Sequence, residues 1–143
     1  YIDTFARTLP HLRHDTPMRE IGVLFPDTAL LLGDPSAAQY AQQFALLRDY
    51  TDHAYVDDHT IADGILKPLR VVILCAGHFH RKATLDALTN WVKRGGLLVA
   101  YNLSDLRCAE TEESLLDQLF NLEGGSTTVG KGATFAFTVR RAE

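Results

Sequence analysis

Apolar and polar residues follow one another in blocks along this chain, and the period changes from block to block. Residues 1–19 read as a lead-in of helical or irregular course, interrupted by Pro10 and Pro17. Residues 21–25, Ile-Gly-Val-Leu-Phe, are a short run without polar positions, closed by Pro26-Asp27. Such a run predicts a strand covered on both faces, as in a parallel sheet. A loop containing Gly33 follows, then Asp34-Pro35, the pairing of an N-cap with proline at the first helical position. Tyr40, Phe44 and Leu47 recur at i, i+4 and i+7 and place one apolar stripe on the helix so opened.

Residues 53–56 predict a short second strand, leading into Asp57-Asp58-His59 and then a brief helical turn or loop over 60–66. Residues 70–76, Arg-Val-Val-Ile-Leu-Cys-Ala, form the clearest strand pattern and end at Gly77. Residues 82–93 are amphipathic, with Leu85, Leu88 and Val92 inward and Trp91 at the edge of that face, and Gly95-Gly96 terminates them. Residues 97–101 predict another buried strand. A last helix is expected over 111–120, with Glu112 and Glu113 near its positive end. The Gly-rich stretch 124–132 then leads into 133–139, whose alternation fits an edge strand. Strands and helices in this order predict an α/β domain: an open, mostly parallel sheet with helices on both faces, a flavodoxin-like three-layer α/β/α sandwich. The pattern shows no repeat, low-complexity tract or linker, so residues 1–143 are expected to form one domain.

Composition narrows the function classes. With 46% hydrophobic and 22% charged residues among 143, the chain has the make-up of a folded globular domain. Its net charge of −4, without a basic stripe, argues against nucleic acid and anionic membrane as partners. No apolar run reaches the length of a membrane span, and no signal peptide is visible. Two cysteines, Cys75 and Cys108, allow at most one bridge and exclude a disulfide scaffold. A cytoplasmic location is the matching expectation. The chain opens at Tyr1, and an excised domain of a larger protein is expected.

Ligands of such sheets sit beyond the carboxyl ends of the strands, where strand order reverses. Delivered there are Asp27 after the first strand, Asp57, Asp58 and His59 after the second, Gly77-His78-Phe79-His80 after the third, and Asn102, Ser104 and Asp105 after the fourth. Asp27, Asp57, His78, His80 and Asn102 are the candidate ligand-binding residues. His78-x-His80 supplies two imidazoles where a zinc site needs three or four ligands, so no metal is assigned. Leu74-Cys-Ala-Gly-His has the look of the nucleophile elbow of PfpI-like cysteine hydrolases and class I glutamine amidotransferases, which makes Cys75 with His78 or His80 a candidate catalytic set. The register opposes it: in those families the cysteine follows a helix and a Gly-introduced strand, here 82–101, and that position holds Tyr101-Asn102-Leu103. Gly125-Ser-Thr-Thr-Val-Gly-Lys131 matches most of a P-loop, but Gly132 stands where Ser or Thr is needed and the segment opens no helix, so it reads as a hairpin. No dinucleotide fingerprint follows the first strand, and no cofactor is expected.

Four blocks carry a family resemblance: Ile21-Gly-Val-Leu-Phe-Pro, Leu47-Arg-Asp-Tyr-Thr-Asp-His-Ala-Tyr-Val-Asp-Asp, Ile61-Ala-Asp-Gly-Ile-Leu-Lys-Pro-Leu-Arg-Val-Val-Ile-Leu, and Leu88-Thr-Asn-Trp-Val-Lys-Arg-Gly-Gly-Leu-Leu-Val-Ala. With Gly130-Lys-Gly before the final strand, they make the chain resemble the glutamine-amidotransferase-like (trimerisation) domain of family 42 β-galactosidases and related glycoside hydrolases. The resemblance implies a flavodoxin-like sandwich that has lost the amidotransferase nucleophile. The glycosidase carboxylates of such enzymes lie on a separate barrel, and this domain packs against neighbouring subunits and helps shape the substrate entrance. The expectation is therefore a non-catalytic accessory domain serving domain packing or homo-oligomer assembly, with an exposed apolar patch drawn from Tyr1, Phe5, Leu12, Phe79 and Tyr101. The alternatives are the Cys75 hydrolase and a module binding a sugar or an anion through Asp27, Asp57 and His78.

Overall fold

The computed structural model of the chain describes Asp3 and residues 19–115, 119–120 and 125–137. The lead-in 1–18 apart from Asp3, and with it Tyr1, Phe5 and Leu12, lies outside the described residues.

Strand β1 (Ile21–Leu24) is followed by a short helix α1 (Asp27–Leu31), a 3-10 turn (Pro35–Gln39) and helix α2 (Tyr40–Arg48). Strand β2 (Ala54–Val56), helix α3 (Asp58–Ala62) and strand β3 (Val71–Leu74) come next. Strand β4 (Phe79–His80), helix α4 (Lys82–Lys93), β5 (Leu97–Tyr101), β6 (Arg107–Cys108), β7 (Gly125–Val129) and β8 (Gly132–Phe137) complete the order. The main sheet has six strands in the order β2-β1-β3-β5-β8-β7. All its neighbours are parallel except the terminal β7–β8 hairpin. This is the flavodoxin-like α/β arrangement expected from the pattern, and strand order reverses between β1 and β3.

Alternation along the parallel strands divides the core into two clusters. Leu24, Val56, Val72, Leu74, Leu98 and Ala100 join Leu85, Leu88, Trp91 and Val92 of α4 in the larger one. Val23, Cys75 and Ala76 join Tyr40, Phe44 and Leu47 of α2 in the smaller one. The stripe at 40, 44 and 47 is thus the buried face of α2. The Trp-Val-Lys-Arg-Gly-Gly motif has a packing reason: a Cβ on Gly96 would stand 2.4 Å from the Trp91 ring, so a side chain there would evict the indole from the core.

Three expectations are corrected. Of the helix expected over 111–120, residues 111–115 are not helical and instead double back on β6, whereas Leu119 is helical, its N–H donating to Leu115 O at 3.0 Å. Ser114 bridges Arg107 in antiparallel fashion, Leu115 N–H donates to Leu106 O at 2.7 Å and Cys108 N–H to Glu113 O at 3.0 Å. Glu112, at φ +57°, makes the turn, so these backbone groups are satisfied by pairing before a helix begins. Second, β8 is an interior strand, hydrogen-bonded to β5 and β7, and the edge belongs to β7. The Gly/Ser/Thr-rich 125–129 segment is the outer strand of the hairpin that the P-loop-like letters were read as. Third, the loop expected after Pro26 contains α1, five residues long and too short to show a period, which buries Thr28 and Ala29.

Candidate functional site

The carboxyl ends of β1, β2, β3 and β5 carry two polar groupings. In the first, Asp57 opens α3 through a reciprocal cap: its Oδ1 accepts from Thr60 N–H at 2.7 Å, and Asp57 N–H donates to Thr60 Oγ1 at 2.8 Å. Partial burial opposes ionisation of Asp57, yet these bonds hold its carboxyl below the ordinary value. Asp27 Oδ2 accepts from Asp58 N–H at 3.0 Å. Burial, followed by the neighbouring Asp58 and Asp57 charges, outweighs that bond and raises the Asp27 carboxyl. The Asp58 side chain is 11% exposed and accepts from Thr28 Oγ1 at 3.1 Å and Thr84 Oγ1 at 2.5 Å, with Arg81 Nε 3.7 Å away. Asp58 thereby ties α1, α3 and α4 together. Sequence reading named Asp58 only as a loop residue; Thr28, Thr84 and Arg81 gave no local signal, because their partner lies 23 to 30 positions away in sequence.

The second grouping is built around His78. Gly77 follows β3 at φ +80°, and a Cβ there would stand 2.4 Å from Pro26 Cβ, so only glycine lets the chain turn this close to α1. Asp34 caps the 3-10 turn through Ser36 N–H to Oδ1 at 2.9 Å, as the Asp-Pro pair predicted. Its other oxygen, Oδ2, accepts the His78 backbone N–H at 2.8 Å and lies 3.8 Å from His78 Nδ1. Burial works against charge on Asp34, but the bonds from His78 and Ser36 hold its carboxyl below the ordinary value. The far ring nitrogen, His78 Nε2, is 3.0 Å from Ser104 Oγ.

Two short strands bring these loops together. β4 and β6 pair in parallel, Phe79 with Arg107 and His80 with Cys108, and Arg107 N–H donates to His78 O at 2.7 Å. The Ser104 loop starts at Asn102, held at φ +52°, and is braced by Asp105, whose carboxylate accepts from Arg107 Nε and from Ser114 Oγ. Asn102 directly follows the last residue of β5.

His78 and His80, adjacent but one in sequence, part company. His80 is 1% exposed, with Nε2 left without a hydrogen-bond partner among the described residues, whereas His78 reaches the surface. Among the described residues no three His, Cys, Asp or Glu side chains are grouped to hold a metal ion. Cys75 lies at the end of β3 and is 2% exposed, and burial pushes its thiol up to about 11. A thiol so placed is protonated at neutral pH and behaves as a small apolar side chain. Of the remaining surface, Leu30, Leu31 and Leu32 are 45, 80 and 60% exposed. Phe79 is half-buried, and so is Tyr101, which lines a cavity of about 240 Å³ with Gln43, Leu46, Leu47 and Tyr50.

No helix among the described residues is long and apolar enough to cross a membrane. Comparison of the chain with family models, with curated proteins and with solved structures finds no match.

Proposed function

We propose that this chain is an amidotransferase-like accessory domain of a carbohydrate-active enzyme, which packs against a neighbouring domain or a second copy of itself. The observation carrying this reading is the leucine run Leu30-Leu31-Leu32, three consecutive side chains left 45–80% exposed at the end of α1. Scattered exposed leucines are ordinary, but three in a row on one short segment form a patch that water disfavours. Covering them contributes on the order of 3–5 kcal/mol of hydrophobic driving force. Asn102 rather than a cysteine follows β5, and Cys75 is buried with its thiol pushed up to about 11, which supports a domain without cysteine chemistry.

Sedimentation velocity over a wide concentration range tests the reading. Self-association is expected, and Leu31→Asp weakens it by about 30-fold or more, the equivalent of about 2 kcal/mol from one leucine. A strict monomer at high concentration, indistinguishable from Leu31→Asp, would refute it.

A further inference from the structure

Asp34, His78 and Ser104 come from three separate loops, 44 and 26 positions apart, and meet in one line at the carboxyl end of the sheet. Ser104 Oγ is 3.0 Å from His78 Nε2, and His78 Nδ1 is 3.8 Å from Asp34 Oδ2. The burial is graded to match: the Asp34 side chain is 5% exposed, His78 28%, and Ser104 is open to solvent. We propose that Ser104 is a nucleophile activated by His78, with Asp34 as its positioning residue, and that the site cleaves short-chain carboxylic esters. This goes beyond the accessory reading, and it departs from the expectation of a non-catalytic domain while leaving the docking surface untouched.

The geometry meets the requirements of such a relay one by one. A serine hydroxyl is a weak nucleophile until a base takes its proton, and His78 Nε2 is within hydrogen-bond reach of it. For Nε2 to accept, the ring proton must sit on Nδ1, the nitrogen turned toward Asp34. At 3.8 Å that contact is at ion-pair distance rather than hydrogen-bond distance, and such contacts tighten when substrate binds. The arrangement of serine, base and buried carboxylate defines the constellation, whatever fold carries it.

The reaction balances with an ester and water alone. Ser104 Oγ attacks the carbonyl carbon while its proton passes to His78 Nε2. The tetrahedral intermediate then expels the alcohol, which takes that proton. Water attacks the acyl-Ser104 ester in the same way, giving its proton to His78, and the acid departs as Ser104 recovers its proton. Ser104 is exposed, so a small ester reaches its hydroxyl directly.

A fluorophosphonate probe with intact-mass and peptide analysis, alongside p-nitrophenyl acetate hydrolysis, provides the test. Attack of Ser104 on phosphorus with loss of fluoride is expected to give one adduct, on Ser104, and Ser104→Ala removes both the adduct and the hydrolysis above buffer. His78→Gln lowers the inactivation rate constant by roughly 10²-fold. Asp34→Asn lowers it by at least about tenfold while the half-saturating probe concentration stays the same, a split that a merely structural role would not produce. Circular dichroism establishes that each variant is folded; should Asp34→Asn unfold, His78→Gln decides. Folded protein with no adduct on Ser104, or one that forms equally fast in His78→Gln, overturns the proposal.

Discussion

His80 makes the stability of this domain depend on pH in a window that few other groups share. The ring is 1% exposed, and burial pushes its pKa down to about 4, with Asp58 and the Gly77 backbone opposing only in part. In the unfolded chain it titrates near the ordinary value of about 6.5. Between those values the unfolded chain binds a proton that the folded chain refuses, so acid favours unfolding. The contribution is complete above about 6.5 and falls away as pH drops toward 4. Between pH 7.5 and 4.5 the loss amounts to about 2–3 kcal/mol, a large part of the roughly 5–15 kcal/mol that holds a domain together. Other groups overlap this window. His53 is also buried and shifted down by burial, so it acts with the same sign. Asp34, Asp57 and Asp105, held low, lose their contribution further down, through the carboxylate range. Asp27, raised by burial, works the other way and favours the folded state as it protonates. The difference between the native chain and His80→Gln cancels these shared terms. Urea unfolding followed by the fluorescence of Trp91, the only tryptophan and 5% exposed, measures both across pH 4.5–8. His80→Gln is expected to be less stable at pH 7.5 and to converge on the native chain by about 2–3 kcal/mol at pH 4.5. Parallel stability curves over that range would show that the ring is not held neutral by burial.

Two further outcomes follow from the same packing. Gly77→Ala combines a left-handed φ of +80° with a Cβ 2.4 Å from Pro26 Cβ, and it should cost about 2–4 kcal/mol in urea unfolding; an unchanged midpoint would mean that the close approach of β3 to α1 is wrong. Cys75 should resist iodoacetamide at neutral pH by at least about 100-fold relative to the denatured chain, since burial pushes its thiol up to about 11, and rapid alkylation in the folded protein would restore the cysteine-hydrolase reading.

What the sequence made legible was local and repetitive. The apolar runs of β1, β3 and β5 and the 3.6-residue period of α4 are signals carried by a single segment, and each element formed within a few residues of its expected span. The Asp34-Pro35 cap was legible for the same reason. That the second Asp34 oxygen reaches His78, 44 positions on, has no local trace. Ser104 was placed correctly after its strand, but its histidine partner depends on β4 and β6, strands of two residues each that no periodicity can reveal. The first half of the helix expected over 111–120 failed through the same blindness, because its glutamates say nothing of the pairing that residues 111–115 find with residues 106–108. The His-x-His pair misled differently: spacing suggested a shared role, and packing sent His80 inward and His78 out.

The proposed docking surface adjoins one member of the proposed relay in sequence, since Leu30-Leu31-Leu32 runs through Gly33 into Asp34. They are nevertheless separable. Asp34 is fixed by its N–H to Ala29 O at 2.8 Å, by Ser36 N–H at 2.9 Å and by His78 N–H at 2.8 Å. Every one of these bonds runs through backbone or through the Asp34 carboxylate itself, and none requires the leucine side chains that point to solvent. Leu31→Asp therefore removes apolar area from the patch without withdrawing a support from Asp34, and Ser104 retains its alignment with His78. Loss of assembly alone thus bears on the accessory reading, loss of labelling in His78→Gln bears on the relay, and a single failed experiment does not bring down both.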